Sequence, residues 1–227
     1  MRKLLIALVI LVVLFVAIDR IGVVLAEDQV ASRIATAYNL PTDPGVSITG
    51  FPFLTQVVTG NYQQIDVTAD HVQADGATLH DLNVHLTGVH ATIGQLLGSG
   101  SSTVTADRAE GSALVGYATV DQRLPHGFRI HPDGKNLMVS GKLSYHGLEV
   151  PVTGSVALSV SGSGITVTPE NVSFPGGISL PVSSVSQLRF VVPLGNLPLH
   201  LHLTSVQVTP DGLRIGAIAR NVQFARS

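Results

Sequence analysis

Nine histidines are the residues in this chain with the widest chemical reach, and His200-x-His202 is the pair best placed to use it. On a strand, residues two apart project to one face, so two imidazoles there would form a metal-binding edge. The pair lacks a third donor, since no Asp, Glu or further His lies within several residues. His80, His85 and His90 recur every fifth residue, which sends successive members to opposite faces of a strand. Solvent-facing histidines without a metal are the expectation. Nucleophile signatures are weaker still. Gly98-Ser99-Gly100-Ser101-Ser102 and Ser161-Gly162-Ser163-Gly164 are Gly/Ser runs that read as flexible loops, not as a Gly-x-Ser-x-Gly elbow. The chain has no His-Glu-x-x-His, no P-loop and no dinucleotide fingerprint. Asp66 and Asp70 fall on the polar side of an alternating stretch, where carboxylates are solvated and poorly placed for acid/base work. No enzyme and no cofactor are expected.

The elements that must position these residues are apolar ones. Of 227 residues 45% are hydrophobic and 12% charged, against about 25% charged in an average protein, so a folded body is expected with few side chains to spare for ion-pair networks. The basic surface that nucleic acid needs is absent. With no Cys in the chain, disulfides, thiolate catalysis and Cys-based zinc sites are excluded together.

The N-terminus is an export signal. Met1, Arg2 and Lys3 precede an uninterrupted apolar run from Leu4 to Ile18, broken by Asp19 and Arg20 and resumed at Ile21–Ala26. The run rises roughly 22 Å as a helix, short of a ~30 Å hydrocarbon core, but the resumption lets an uncleaved anchor snorkel Arg20 to the far interface. Val24-Leu25-Ala26 also fits a small-residue cleavage site, so both fates stay open. In either case Arg2 and Lys3 remain cytoplasmic and residues 27–227 are expected outside as a single domain. That exported part holds ten basic and fourteen acidic residues, a net −4 with no two basic residues adjacent, and so offers anionic headgroups no electrostatic pull.

The spacing Ile18, Ile21, Leu25, Val30, Ile34, Tyr38 predicts a helix continuing to about Tyr38, stopped by Asn39 and Pro41. Beyond Pro44 the period becomes two: at 65–70, 81–87, 137–145 and 150–160, and around the Pro210-Asp211-Gly212 turn from Leu199 to Ala217. These read as long antiparallel strands with one dry face. Alternation lapses at Gly111–Leu124 and Val182–Val192, each a candidate helix, the first with Ser112 as its N-cap. Glycines within the strands (Gly88, Gly141, Gly154, Gly162, Gly164) suggest bends and bulges. The predicted class is α+β, a long, strongly curved antiparallel sheet wrapping the N-terminal helix; a sandwich whose glycines only fill turns is the alternative.

Two of the seven Phe fall within Gly50-Phe51-Pro52-Phe53-Leu54-Thr55-Gln56-Val57-Val58-Thr59-Gly60-Asn61-Tyr62. Such an apolar loop is either a plug for the core or an exposed wedge for lipid. Taken with the basic start, the apolar segment running through Asp19-Arg20 into Ala26-Glu27, and the closing Leu197-Pro198 and Asp211-Gly212-Leu213, this motif resembles the actinobacterial LmeA-like family over nearly the whole chain. The resemblance implies a cell-envelope protein linked to phospholipid binding and to mannan elongation of lipoglycans, with a fold similar to tubular lipid-binding proteins. Phospholipid, the membrane through the N-terminal segment, and the cell-envelope glycolipid machinery are the partners it implies. On this reading an acyl chain lies in a groove between the Ala26–Tyr38 helix and the inner faces of the strands, lined by Phe51, Phe53, Leu54, Leu82, Val84, Leu86, Leu143, Val156, Leu158, Leu201 and Leu203. A non-enzymatic scaffold with a self-filled core is the alternative.

Overall fold

The computed structural model describes residues 2–74, 77–96, 104–122, 124, 127–134, 136–145, 148–161, 164–174, 190–193 and 201–224. It is an α+β protein of one long helix, short helices and antiparallel strands. Helix α1 runs unbroken from Arg2 to Tyr38. It ends as its sequence requires: Asn39 takes a left-handed φ of 50°, and Leu40 N–H donates to Ala35 O at 2.9 Å ahead of Pro41.

The chain folds into two compact units. Unit 1 holds Met1–Asp70, Asn83–Glu110 and Ala219–Ser227. In it α1 is followed by β1 (Gly45–Thr49), α2 (Phe53–Thr59), β2 (Asn61–Ala69), the later part of β4 (Ala77–His90), α3 (Ile93–Leu96), the first part of β5 (Val104–Gly116) and the end of β12 (Gly212–Phe224). β1 and β2 pair antiparallel with Ile48 opposite Ile65, and both side chains are buried with Val23 and Ala26 of α1, Phe53, Tyr62, Val89, Ala91 and Ala106. α1 reaches this core through Val23 and Ala26, and Asp19, Val23, Ala26 and Val30, spaced three or four residues apart, share its buried side; Ile18, Ile21, Leu25 and Tyr38, which set the predicted spacing, are exposed instead.

Unit 2 holds His71–Leu82 and Gly111–Ile218. β6 (Arg129–Asp133), β7 (Asn136–Tyr145), β8 (Leu148–Ser161), β9 (Gly164–Ser173) and β10 (Phe190–Pro193) pair in succession as a five-stranded antiparallel sheet. The remaining strands follow the order β1-β2-β4-β5-β12-β11, with β3 (Val72–Ala74) on β4 and β11 running His202–Val208. The sheet predicted as one is therefore two. Within unit 2, β11 packs on β8.

Other local expectations meet the structure unevenly. Gly111–Leu124 is not a helix: β5 continues through Ser112 to Gly116, and only α4 (Tyr117–Asp121) is helical. The faint helical register of this stretch loses to strand pairing between β4 and β12, which satisfies a backbone donor and acceptor at each step. Of Val182–Val192, residues 182–189 lie outside the described residues, and 190–192 open strand β10. Gly98–Ser102, Gly162 and Leu197-Pro198 also lie outside them. Gly154 sits beside the register shift between Ser155 and Val156, where a Cβ would collide with the Asn171 carbonyl of β9.

Candidate lipid-binding surfaces

The Gly50–Tyr62 segment builds a docked helix. Phe51 precedes it and is 58% exposed, while Phe53 is 3% exposed in the unit 1 core, 6.4 Å from the Tyr62 ring centroid. The two Phe thus divide, Phe51 to the surface and Phe53 to the core. Pro52 occupies the N-cap of α2 and supplies no side-chain cap. The missing acceptor comes from α1: Asp19, 0% exposed, takes the Leu54 N–H at 2.8 Å and the Arg20 guanidinium at 2.5 Å. Arg20 in turn lies over the Phe51 ring, 5.3 Å from its centroid.

Glu27 Oε1 similarly accepts the Ile48 N–H of β1 at 2.7 Å. Buried Gln56 accepts the Gln63 N–H at 2.8 Å. Gly60 closes α2 at φ 69°, donating to Gln56 O, and Ala91 N–H donates to Gly60 O at 2.9 Å. A Cβ at Gly60 would press to 3.2 Å from the Ala91 carbonyl oxygen. The Tyr62 hydroxyl is buried without a hydrogen-bond partner among the described residues, and burial pushes its pKa up from the ordinary tyrosine value. Sequence reasoning picked out this motif for its Phe residues. It missed Asp19 as the acceptor, although a lone carboxylate within an apolar run is the kind of residue that has to be explained.

Unit 2 has a different interior. Cross-strand neighbours Ile130 and Val139, Leu137 and Val156, and Leu158 and Val167 share one face of the five-stranded sheet. Val206 opposite Ile215, and Val208 opposite Leu213, present a second apolar face from β11 and β12. Leu124, Ile130, Leu137, Val156, Val167 and Leu213 are buried; Val139, Leu158, Val206, Val208 and Ile215 remain half-buried around them. Phe128 lies over Gly141, so close that a Cβ there would collide with its ring. Tyr117 donates its hydroxyl to Thr209 O at 2.6 Å, and burial together with the nearby Asp211 carboxylate raises its pKa.

The eleven residues expected along one groove fall in both units. Phe51, Phe53, Leu54, Val84 and Leu86 belong to unit 1 with α1; Leu82, Leu143, Val156, Leu158, Leu201 and Leu203 belong to unit 2. Leu86 is half-buried against the unit 1 core, and Val84, Leu54, Leu82 and Leu201 are also half-buried. Val156 and Leu203 are buried. The backbone of Leu143 pairs with Val150 in β7 and β8.

The polar residues form short surface pairs. His85 Nδ1 meets the Asp66 carboxylate, and His90 contacts Asn61 at 2.6 Å and Asp107 at 3.3 Å. His71 and His80 stack edge to face. No three metal-ligating side chains converge among the described residues, and His200 lies outside them while His202 is exposed on β11.

A family profile described as LmeA-like phospholipid-binding matches residues 17–218. The chain belongs to this family. No curated relative and no solved structure matches it. The match to the LmeA-like family opens at residue 17, ahead of Asp19, and so takes in the half of α1 that docks on unit 1.

Proposed function

We propose that this LmeA-like protein is an exported, membrane-tethered carrier that shelters a phospholipid acyl chain against the half-buried aliphatic faces of unit 2. The observation that carries the reading is the row Val139, Leu158, Val206, Val208 and Ile215, contributed by two sheets around a wholly aliphatic buried core. Each methylene moved from water onto such a surface contributes about 0.8 kcal/mol, so a bound chain is retained without a charged clamp. Headgroup charge is secondary on this reading, consistent with the net −4 of residues 27–227. Binding rather than catalysis is the proposed activity, and residues 27–227 act as one exported domain. The family resemblance makes lipoglycan mannan elongation in the cell envelope the proposed setting for this lipid handling.

Tethering is supported by α1 itself. The side chains of Leu4–Ile18 are exposed and apolar on a helix long enough to cross a bilayer. Cleavage after Ala26 would strip Val23 and Ala26 from the unit 1 core and Asp19 from α2. A retained anchor is therefore proposed over a removed signal.

Organic extraction of the purified full-length protein, followed by lipid mass spectrometry, tests the carrier. A stoichiometric phospholipid is expected, lost in Leu158→Trp and Val206→Trp while both variants stay folded. Lipid-free wild-type protein would instead favour a scaffold filled by its own side chains, a reading helped by the near-complete burial of Leu137 and Leu213.

A further inference from the structure

Among the described residues, the large apolar side chains left exposed beyond the Leu4–Ile18 run are Ile21, Val24, Leu25, Tyr38, Phe51 and Val58 in unit 1 and Val191 in unit 2. α1 carries Ile21, Val24 and Leu25, Phe51 precedes α2, and α2 carries Val58 at 86% exposure. Phe51 is stacked on Arg20, two residues past the exposed apolar run, and the start of α2 is hydrogen-bonded to Asp19 one residue earlier.

The lengths agree with a deeper seat than the apolar run alone would give. From Leu4 to Leu25 α1 measures about 33 Å, close to the ~30 Å hydrocarbon core, whereas a span ending at Ile18 falls short. A span ending near Leu25 places Asp19, Arg20 and Phe51 roughly 8 Å inside its outer end, the depth at which interfacial aromatic and aliphatic side chains lie. The obstacle would be the Asp19 carboxylate, which lipid cannot solvate. It is wholly buried within the protein and satisfied by Arg20 and the Leu54 N–H, so that cost is met inside unit 1. Arg20 keeps about half its side chain exposed, free to reach lipid phosphate.

We propose that Phe51 and Val58, with Arg20 and the exposed α1 residues Ile21, Val24 and Leu25, form a seating surface that sets unit 1 into the headgroup–acyl boundary of the bilayer on the exported side. This rests on the tethered reading of α1 and adds a second, lateral contact with lipid. The chain has no Trp, so single tryptophans report their surroundings without background. Full-length Ile10→Trp, Phe51→Trp, Val58→Trp and Tyr38→Trp proteins are reconstituted in phosphatidylcholine vesicles, with or without lipid brominated near the headgroup end of the acyl chain. Tyr38, exposed at the far end of α1, lies about 27 Å along the helix from Arg20. Bromolipid should quench the tryptophans at 51 and 58 nearly as strongly as that at 10, and leave that at 38 unchanged. Quenching at 10 without quenching at 51 and 58 keeps the tether and overturns the seat. Absence of quenching at 10 as well overturns both. Equal quenching at 38 shows contact that is not localised to this surface and also overturns the seat.

Discussion

Polar groups tie α1 to the interior of unit 1, while the described core cluster of unit 2 is aliphatic. In unit 1 the carboxylates of Asp19 and Glu27 reach from α1 to backbone N–H groups at the start of α2 and in β1, and Phe53 and Tyr62 fill the space between. Directional bonds of this kind fix a helix to a strand in one geometry and leave little room for a guest. In unit 2 the described core cluster is Leu, Ile and Val, and the polar ties lie around it: the ladders of the sheets, the Ile130 N–H given to Asp121 Oδ1 at 2.8 Å and the Tyr117 hydroxyl given to Thr209 O. Contacts between aliphatic faces are non-directional, so an acyl chain laid against them replaces water with hydrocarbon and breaks no hydrogen bond. On the proposed reading, anchoring falls to the first unit and lipid retention to the second.

The largest effect expected from breaking this contrast is at Phe53. Phe53→Ala should cost ~3–5 kcal/mol, seen as lost amide-exchange protection across α2, β1 and β2. Asp19→Ala should follow at about 1–3 kcal/mol, because the Leu54 N–H is left buried without its acceptor; Asp19→Asn keeps an acceptor and should recover much of the loss. Neither change should lower lipid retention as strongly as Leu158→Trp.

In unit 2 the order reverses. Leu158→Ala should cost less than about 2 kcal/mol, since water refills a half-exposed site and little cavity remains, and Leu158→Trp should remove co-purified lipid with a modest change in melting temperature. Val84→Trp, placed in unit 1, should leave lipid in place. Loss of lipid in Val84→Trp but not in Leu158→Trp would move the binding surface to the other unit. Retention should also persist from low to molar salt, because burial of methylenes is not screened whereas a surface contact with anionic headgroups is.

A smaller effect is expected from Tyr117. Its pKa is raised by burial, so the neutral hydroxyl is the form the fold prefers. The stability it contributes is complete below the unfolded tyrosine value near 10 and fades as pH rises through the higher folded value. Tyr117→Phe should flatten the alkaline limb of the melting curve. The smallest effect belongs to the solvent-exposed Lys142–Glu149 pair, 2.9 Å apart: Lys142→Ala should produce no measurable change in melting temperature.

The sequence by itself determined what is local. The apolar run, the extent of α1 to its Asn39 stop, and the period-two strands from Ile65 onward follow from side chains a few residues apart; the buried face of α1 does not, since Ile18, Ile21, Leu25 and Tyr38 of the predicted spacing are exposed while Asp19, Val23 and Ala26 are buried. The motif at 50–62 was legible as unusual, and its Gly60 and Phe53 carry structural duties that their types announce. The partnership of Asp19 with Leu54 was not legible, because it joins residues 35 positions apart. Nor was the division of the strands into two sheets, nor the membership of Val84 and Leu86 in one unit and of Val156 and Leu158 in the other. An alternating strand declares that one face is dry without declaring which surface keeps it dry; strand pairing across long stretches of chain makes that choice, and only the tertiary structure records it.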